Sequence, residues 1–305
     1  MNLVRKTVLA ASLALGAMAS AHADSFASAI LDINNFRLLH SSGTAFAATD
    51  FRTLTGTNDA HATANLNAVF ANGAQSFPIL SGTTPDVPHQ CVGTCFPKAE
   101  NDFTPFPFPP PAPGTFGYAD ENLTGSSITV GMAPAGAHAQ TRADASVMMN
   151  AVAAGNSDVG TSTTFAFTLG SADTMTIAFD GTPFSQAWVS AGAGATTNAN
   201  ARLSWSVNIV DLTTGTTVFS YAPNELNALS NVSRTDGAPG TTTYNPGTMA
   251  FSAVTPILNA TDTYQITIQH NTLANALQAV PEPASLAIFG IGLLGATVVS
   301  RRRKS

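Results

Sequence analysis

The chain has 305 residues, only 10% of them charged, and its 12 basic residues are outnumbered by 18 acidic ones for a formal net charge of −6. That balance argues against a nucleic-acid partner and against a polybasic grip on anionic lipid. The abundance of Ala, Thr, Ser, Asn and Gly suits β structure with polar outer faces and Gly or Asn turns.

The first residues, MNLVRK, lead into an apolar stretch from Thr7 to Ser20 and then into Ala21-His22-Ala23. This is the three-part layout of a secretory signal peptide over residues 1–23, with cleavage after Ala23. The apolar stretch of 14 residues is short of the roughly 20 needed for a membrane-spanning helix. From Ser25, the segment SFASAILDINNFRLL reads as a strand, and NLNAVF around Leu66 to Phe70 as another.

Between about residues 82 and 117 lies a proline-rich interruption with prolines at 105, 107, 109, 110, 111 and 113. Missing donors and fixed φ make it an exposed arm inserted in the domain. Its Phe103, Phe106 and Phe108 either pack the arm back onto the body or form a partner-binding strip, and packing is favoured. Cys91 and Cys95, the two cysteines of the chain, are expected to form a disulfide at the base of the arm. A zinc site would need ligands beyond His89 that the pattern does not supply.

Asp120, Glu121 and Asn122 group oxygen donors and are the candidate ligands if a calcium ion is bound; no other cofactor is expected. SSITVGM, around Ile128 to Met132, reads as a strand. Thr141 to Gly155 has helix-forming composition but lies among strands, and a strand is the favoured reading. From Thr161 to Gln269, alternation in TFAFTL, MTIAFD, LSWSVNIVD, TVFSYA, TMAFSAV and TYQITIQ predicts at least six antiparallel strands. The expected fold is all-β, an antiparallel, jelly-roll-like sandwich over residues 24–279, with two smaller domains as the alternative.

No His-x-x-x-His pair or Gly-x-Ser-x-Gly elbow is present among or around the histidines His40, His61, His89, His138 and His270. Asp120 and Glu121 would face opposite ways along a strand, and Asp180 and Asp211 read as turn residues. An enzyme is therefore not expected. Trp205 is expected in the core, whereas Trp188 is either packed or a sugar-stacking surface.

The last segment, residues 280–305, opens with Val280-Pro281-Glu282-Pro283. An uncharged run of 17 residues follows over 284–300, and then the cluster Arg301, Arg302, Arg303 and Lys304. At 1.5 Å per residue the run extends about 25 Å, enough for a short single span whose basic end stays cytoplasmic. Triplet, span and basic cluster in this order resemble the PEP-CTERM sorting signal of Gram-negative bacteria. The resemblance implies that an exosortase in the inner membrane reads Pro281, Glu282 and Pro283, removes the tail and passes the protein to the cell surface or exopolysaccharide matrix. The layout from Tyr118 to Gly125 and onward is also similar to the EDSAP-type group of such proteins. Loss of both ends removes six basic residues and Glu282, leaving six basic and 17 acidic residues, net −11. The expected role is structural or adhesive within exopolysaccharide or biofilm; the alternative is a carbohydrate-binding module or carbohydrate-active enzyme.

Overall fold

The computed structural model describes residues 24–106, 114–148, 151–159, 163–191 and 196–279. The signal peptide with Ala21 and Ala23, Phe108, and the sorting segment with Pro281, Glu282, Pro283 and the Arg301 to Lys304 cluster lie outside the described residues.

Period-2 patterning sets the architecture. In TTNANARLSWSVNIVD the residues Ala199, Ala201, Leu203, Trp205, Val207 and Ile209 are buried, while Ser204 and Arg202 between them are exposed. The described residues form fifteen strands: β1 (Ser25–Leu39), β2 (Phe51–Leu66), β3 (Val69–Pro78), β4 (Gln90–Gly93), β5 (Phe116–Thr124), β6 (Ala137–Val147), β7 (Ala151–Val159), β8 (Thr163–Leu169), β9 (Thr176–Val189), β10 (Thr196–Asp211), β11 (Thr216–Tyr221), β12 (Val232–Thr235), β13 (Gly240–Tyr244), β14 (Met249–Val254) and β15 (Tyr264–Ala279). A seven-stranded antiparallel sheet runs β13-β9-β1-β6-β5-β4, with β14 also on β9. The second, eight-stranded sheet runs β11-β10-β15-β7-β2-β3, with β12 on β10 and β8 between β15 and β2. The assembly is larger than the eight strands of a jelly roll.

One apolar core joins the inner faces of both sheets. At one end it is aromatic: the Trp205 ring lies 4.3 Å from that of Phe179, and Phe36 is 5.8 Å from Phe179. At the other end it is made of Ala27, Ala29, Ala145, Ala153, Ala274 and Ala276, so the sheets approach closely. There a Cβ on Gly117 would collide with the carbonyl oxygens of Ala154 and Asn65, and one on Gly155 with that of Tyr118. The Ala and Gly content that left Thr141 to Gly155 ambiguous is thus the composition of a thin sandwich end, with β6 and β7 both extended.

Three sequence expectations are corrected. NLNAVF is not one strand: Asn67 and Ala68 both have positive φ, 50° and 64°, and turn β2 into β3 as a two-residue hairpin. Ile128 to Met132 forms no strand, only isolated bridges of Thr129 to Ala47 and Val130 to Ala133. The arm is not wholly loop, because β4 adds an edge strand to β5.

Candidate functional site

Alternation in the seven-stranded sheet puts Tyr118 and Asp120 of β5 on the same outer face as Arg142 and Asp144 of β6. Phe26, Ser28 and Ile30 of β1 and Phe184, Gln186 and Trp188 of β9 share that face. A solvent face would be expected here, yet Arg142, Asp144 and Asp120 are fully buried. The proline-rich arm covers them. Arg142 Nε donates to Asp144 Oδ2 at 2.5 Å, and its Nη1 donates to the carbonyls of Asp102 at 3.0 Å and Thr104 at 2.5 Å. The guanidinium lies 4.7 Å from the centroid of Phe106 and 5.8 Å from that of Tyr118. Phe106 in turn meets Phe26 edge-on at 5.4 Å and Phe96 at 5.1 Å. Lys98 Nζ donates to Asp102 at 2.6 Å and to the Thr104 carbonyl at 3.0 Å, tying the arm's own turn.

These contacts decide between the two readings of the arm's aromatics for Phe106, which packs back onto the body with Phe96, a residue the sequence did not single out. Phe103 is half-buried. Cys91 and Cys95 are joined by a disulfide. It clasps the turn that follows β4, within the arm and not at its base.

Asp120 accepts hydrogen bonds at Oδ2 from the Asn101 backbone and the Tyr118 hydroxyl, each at 3.1 Å. Burial, followed by the nearby Glu100 charge, pushes its carboxyl up to about 7. Burial and the Asp120 charge likewise push the Tyr118 hydroxyl up. Asp102 goes the opposite way: against the cost of burial, hydrogen bonds from Lys98 and Thr104 hold its carboxyl low. Glu121 points inward, where its Oε1 accepts from the Val87 backbone at 2.5 Å. Asn122 lies beside Gln140 on the outer face. Asp120, Glu121 and Asn122 therefore do not converge, and no group of three or more His, Cys, Asp or Glu is gathered to hold a metal among the described residues. Trp188 is half-buried against the Phe26 aromatic cluster, neither a flat exposed platform nor core. Trp205 is in the core as expected.

Sequence reading missed a second charged cluster at the far end of the sandwich. His40 Nδ1 lies 2.8 Å from Asp173 Oδ2 and its Nε2 lies 3.0 Å from Asp50 Oδ2, with the ring 3.7 Å from that of Phe46. Burial works to lower the His40 value, but the hydrogen bonds to both carboxylates, with their charges, outweigh it and the value is raised. Each ring nitrogen faces a carboxylate oxygen, an arrangement that the protonated imidazolium satisfies with both N–H groups donating. His270 is its opposite: fully buried, with Nε2 3.2 Å from the Leu31 carbonyl and 3.0 Å from Thr141 Oγ1, it is pushed down to about 4 by burial. It borders a cavity of about 60 Å³ with Phe36, Leu123, Trp205 and Ile268.

A larger, open cleft of about 510 Å³ sits where β11 and β12 leave a gap beside β10, lined by Arg202, Ser204, Asn227, Asn231, Gln269 and Asn271. In that gap the Asn227 side chain stands in for a strand, accepting from the Trp205 N–H at 3.1 Å and donating to its carbonyl at 2.9 Å.

The molecule is thus an antiparallel two-sheet β-protein with a self-docked arm. Its tail identifies the route it takes: the PEP-CTERM protein-sorting motif matches residues 279–304, beginning on the last residue of β15. The chain carries this motif and is an exported protein sorted at the membrane by exosortase. No curated protein and no solved structure matches the chain. Among the described residues no helix is long and apolar enough to cross a membrane; the run over 284–300 lies outside them.

Proposed function

We propose that the protein is a non-enzymatic structural or adhesive component of the cell surface or extracellular matrix of a Gram-negative bacterium. It is held briefly by its tail and released by exosortase into or near exopolysaccharide. The sorting motif at residues 279–304 carries this reading. It is supported by the saturated ring nitrogens of His40 and by an arm that holds buried charges in fixed pairs, both features of a scaffold. The test is mass analysis of native surface-associated protein with and without exosortase, together with the triple change Pro281→Ala, Glu282→Ala, Pro283→Ala. The expected mature species begins at Asp24 and ends near the motif, while the triple variant keeps its tail. A surface protein that retains residues 284–305, or a deletion strain with unchanged aggregation and biofilm, would sink the proposal.

A carbohydrate-binding role is the second reading, favoured by the cleft beside β10. Its amides, hydroxyl and guanidinium, with no carboxylate among them, are the donor and acceptor types that read sugar hydroxyls. A glycan array comparing the wild type with Asn231→Ala separates it from the scaffold reading.

A further inference from the structure

The sorting motif leaves the body at one identifiable end. Ala279 pairs with Thr196, and one strand across from it Leu277 pairs with Val152 and Ala276 with Ala153. Ala153 pairs with Leu66, whose hairpin partner is Val69. In the facing sheet Ser25 reaches the Leu277 carbonyl at 3.4 Å and pairs with Val147. Ala279, the β2–β3 hairpin tip, the start of β7 and the start of β1 therefore share one end of the sandwich.

That end exposes large apolar side chains: Val69 and Phe70 are each 60% exposed, Val152 49% and Met148 41%. Residues 65–78 and 145–156, which carry them, contain no charged residue in a chain that is otherwise acidic. Among the described residues, the charges at this end include Asp24, Arg234 and Asp236, which lie on the β1 and β12 side. The far end also exposes Leu212, Val254 and Ile257, but among Asp50, Asp173, Asp211 and Asp262. Only Val280, Pro281, Glu282 and Pro283 separate Ala279 from the apolar run. Fully extended, the five residue steps from Ala279 to Ala284 reach at most about 18 Å.

We propose that the uncharged apolar patch on this end, built on Val69, Phe70, Met148 and Val152, is a docking surface for the lipid bilayer, used while the tail still holds the precursor. The proposal rests on the reading of residues 284–300 as membrane-seated. A span starting within about 18 Å of Ala279 keeps the hairpin tip within reach of the headgroups. An interfacial surface of this kind sinks its apolar side chains about 5–10 Å into the headgroup and acyl boundary. Lipid is favoured over a protein partner because the tether brings the bilayer to these residues, and because the patch offers apolar contact with no charge to read. Docking holds the body in one orientation, with Pro281, Glu282 and Pro283 at the surface where a membrane-embedded protease works.

The test uses the full chain reconstituted into phosphatidylcholine vesicles. The native cysteines are both in the disulfide, so a single added cysteine takes an environment-sensitive fluorophore specifically, in Phe70→Cys and, at the far end, Ile257→Cys. Flotation with the vesicles is scored first. The expected result is co-flotation of both, with quenching by brominated lipid at least about threefold stronger at position 70 than at 257. Adding Val69→Glu and Val152→Glu to Phe70→Cys should return the label to the quenching seen at 257 while flotation persists. Equal quenching at the two positions in floating protein overturns the docking surface while leaving the anchor intact. Failure to float overturns both.

Discussion

Asp144→Ala is the sharpest perturbation of the arm. Asp144 and Arg142 are both fully buried and paired at 2.5 Å, so removing the carboxylate leaves a guanidinium uncompensated under the arm. Breaking one side of such a pair costs about 3–5 kcal/mol. The cost falls where the arm docks, because Arg142 holds the Asp102 and Thr104 carbonyls and faces Phe106. The cheapest relief is for the arm to lift and let water reach Arg142. Lys98 is the one lysine between residues 24 and 279, and its side chain is only 6% exposed while tied to Asp102. A lysine-specific protease under native conditions therefore reports arm opening. If about 3 kcal/mol of docking is lost, the open fraction and the cleavage rate rise about a hundredfold. The companion variant, Arg142→Met with Asp144→Leu, replaces the pair by apolar groups and should match or exceed wild-type stability in urea. It should still be cut faster, because its hydrogen bonds to the arm are gone. Unchanged cleavage after Lys98 in Asp144→Ala would refute the idea that this pair holds the arm.

Three further outcomes follow from described contacts. Asn227→Ala strips the backbone of Trp205 of both side-chain partners and should cost about 1–3 kcal/mol in denaturant unfolding. His40 has a folded value above 6.5, so its stabilisation is complete below about 6.5 and is lost as pH rises through that folded value; Asp50 and Asp173, held low, contribute above about 3.8 and lose it on acidification. Thermal melts of His40→Ala between about pH 5 and 9 should lose much of the alkaline fall, leaving the raised His138, tied to Asp32, and, up to about pH 7, the raised Asp120 as further sources. Asp120, raised to about 7, keeps its proton in the folded state, so stability declines as pH climbs from about 3.8 to about 7 and is flat above. Asp120→Asn should remove that decline in the same melts.

How legible the structure was depended on the range of each interaction. Alternation in LSWSVNIVD and TYQITIQ marked β10 and β15 because burial there follows every second side chain. The hairpin at Asn67 was hidden because its turn lacks glycine, and Ala68 at φ 64° is an unusual occupant of that conformation. Sheet order was not legible: β1 sits between β9 and β6, partners more than a hundred residues away, and no local pattern encodes that. The charged clusters failed for the same reason. His40, Asp50 and Asp173 come from three separate connections, Asp50 from a short 3-10 turn, and Arg142-Ala-Asp144 reads as a polar strand face until an arm is laid over it. The sorting motif was readable because it is short, linear and independent of fold.

β15 is the spine of the eight-stranded sheet, paired along its whole length with β10 and on its other side with β7 and β8. In chain order it is the last strand, and the two halves of that sheet, β2-β3-β7-β8 and β10-β11-β12, are joined to each other only through residues 264–279. The motif begins where this strand ends. An unfinished body would leave up to 16 residues of slack ahead of the motif, and a finished one leaves almost none. The same short stretch thus both completes the sheet and leads into the motif, so the free chain ahead of the motif is short only when the sheet is complete.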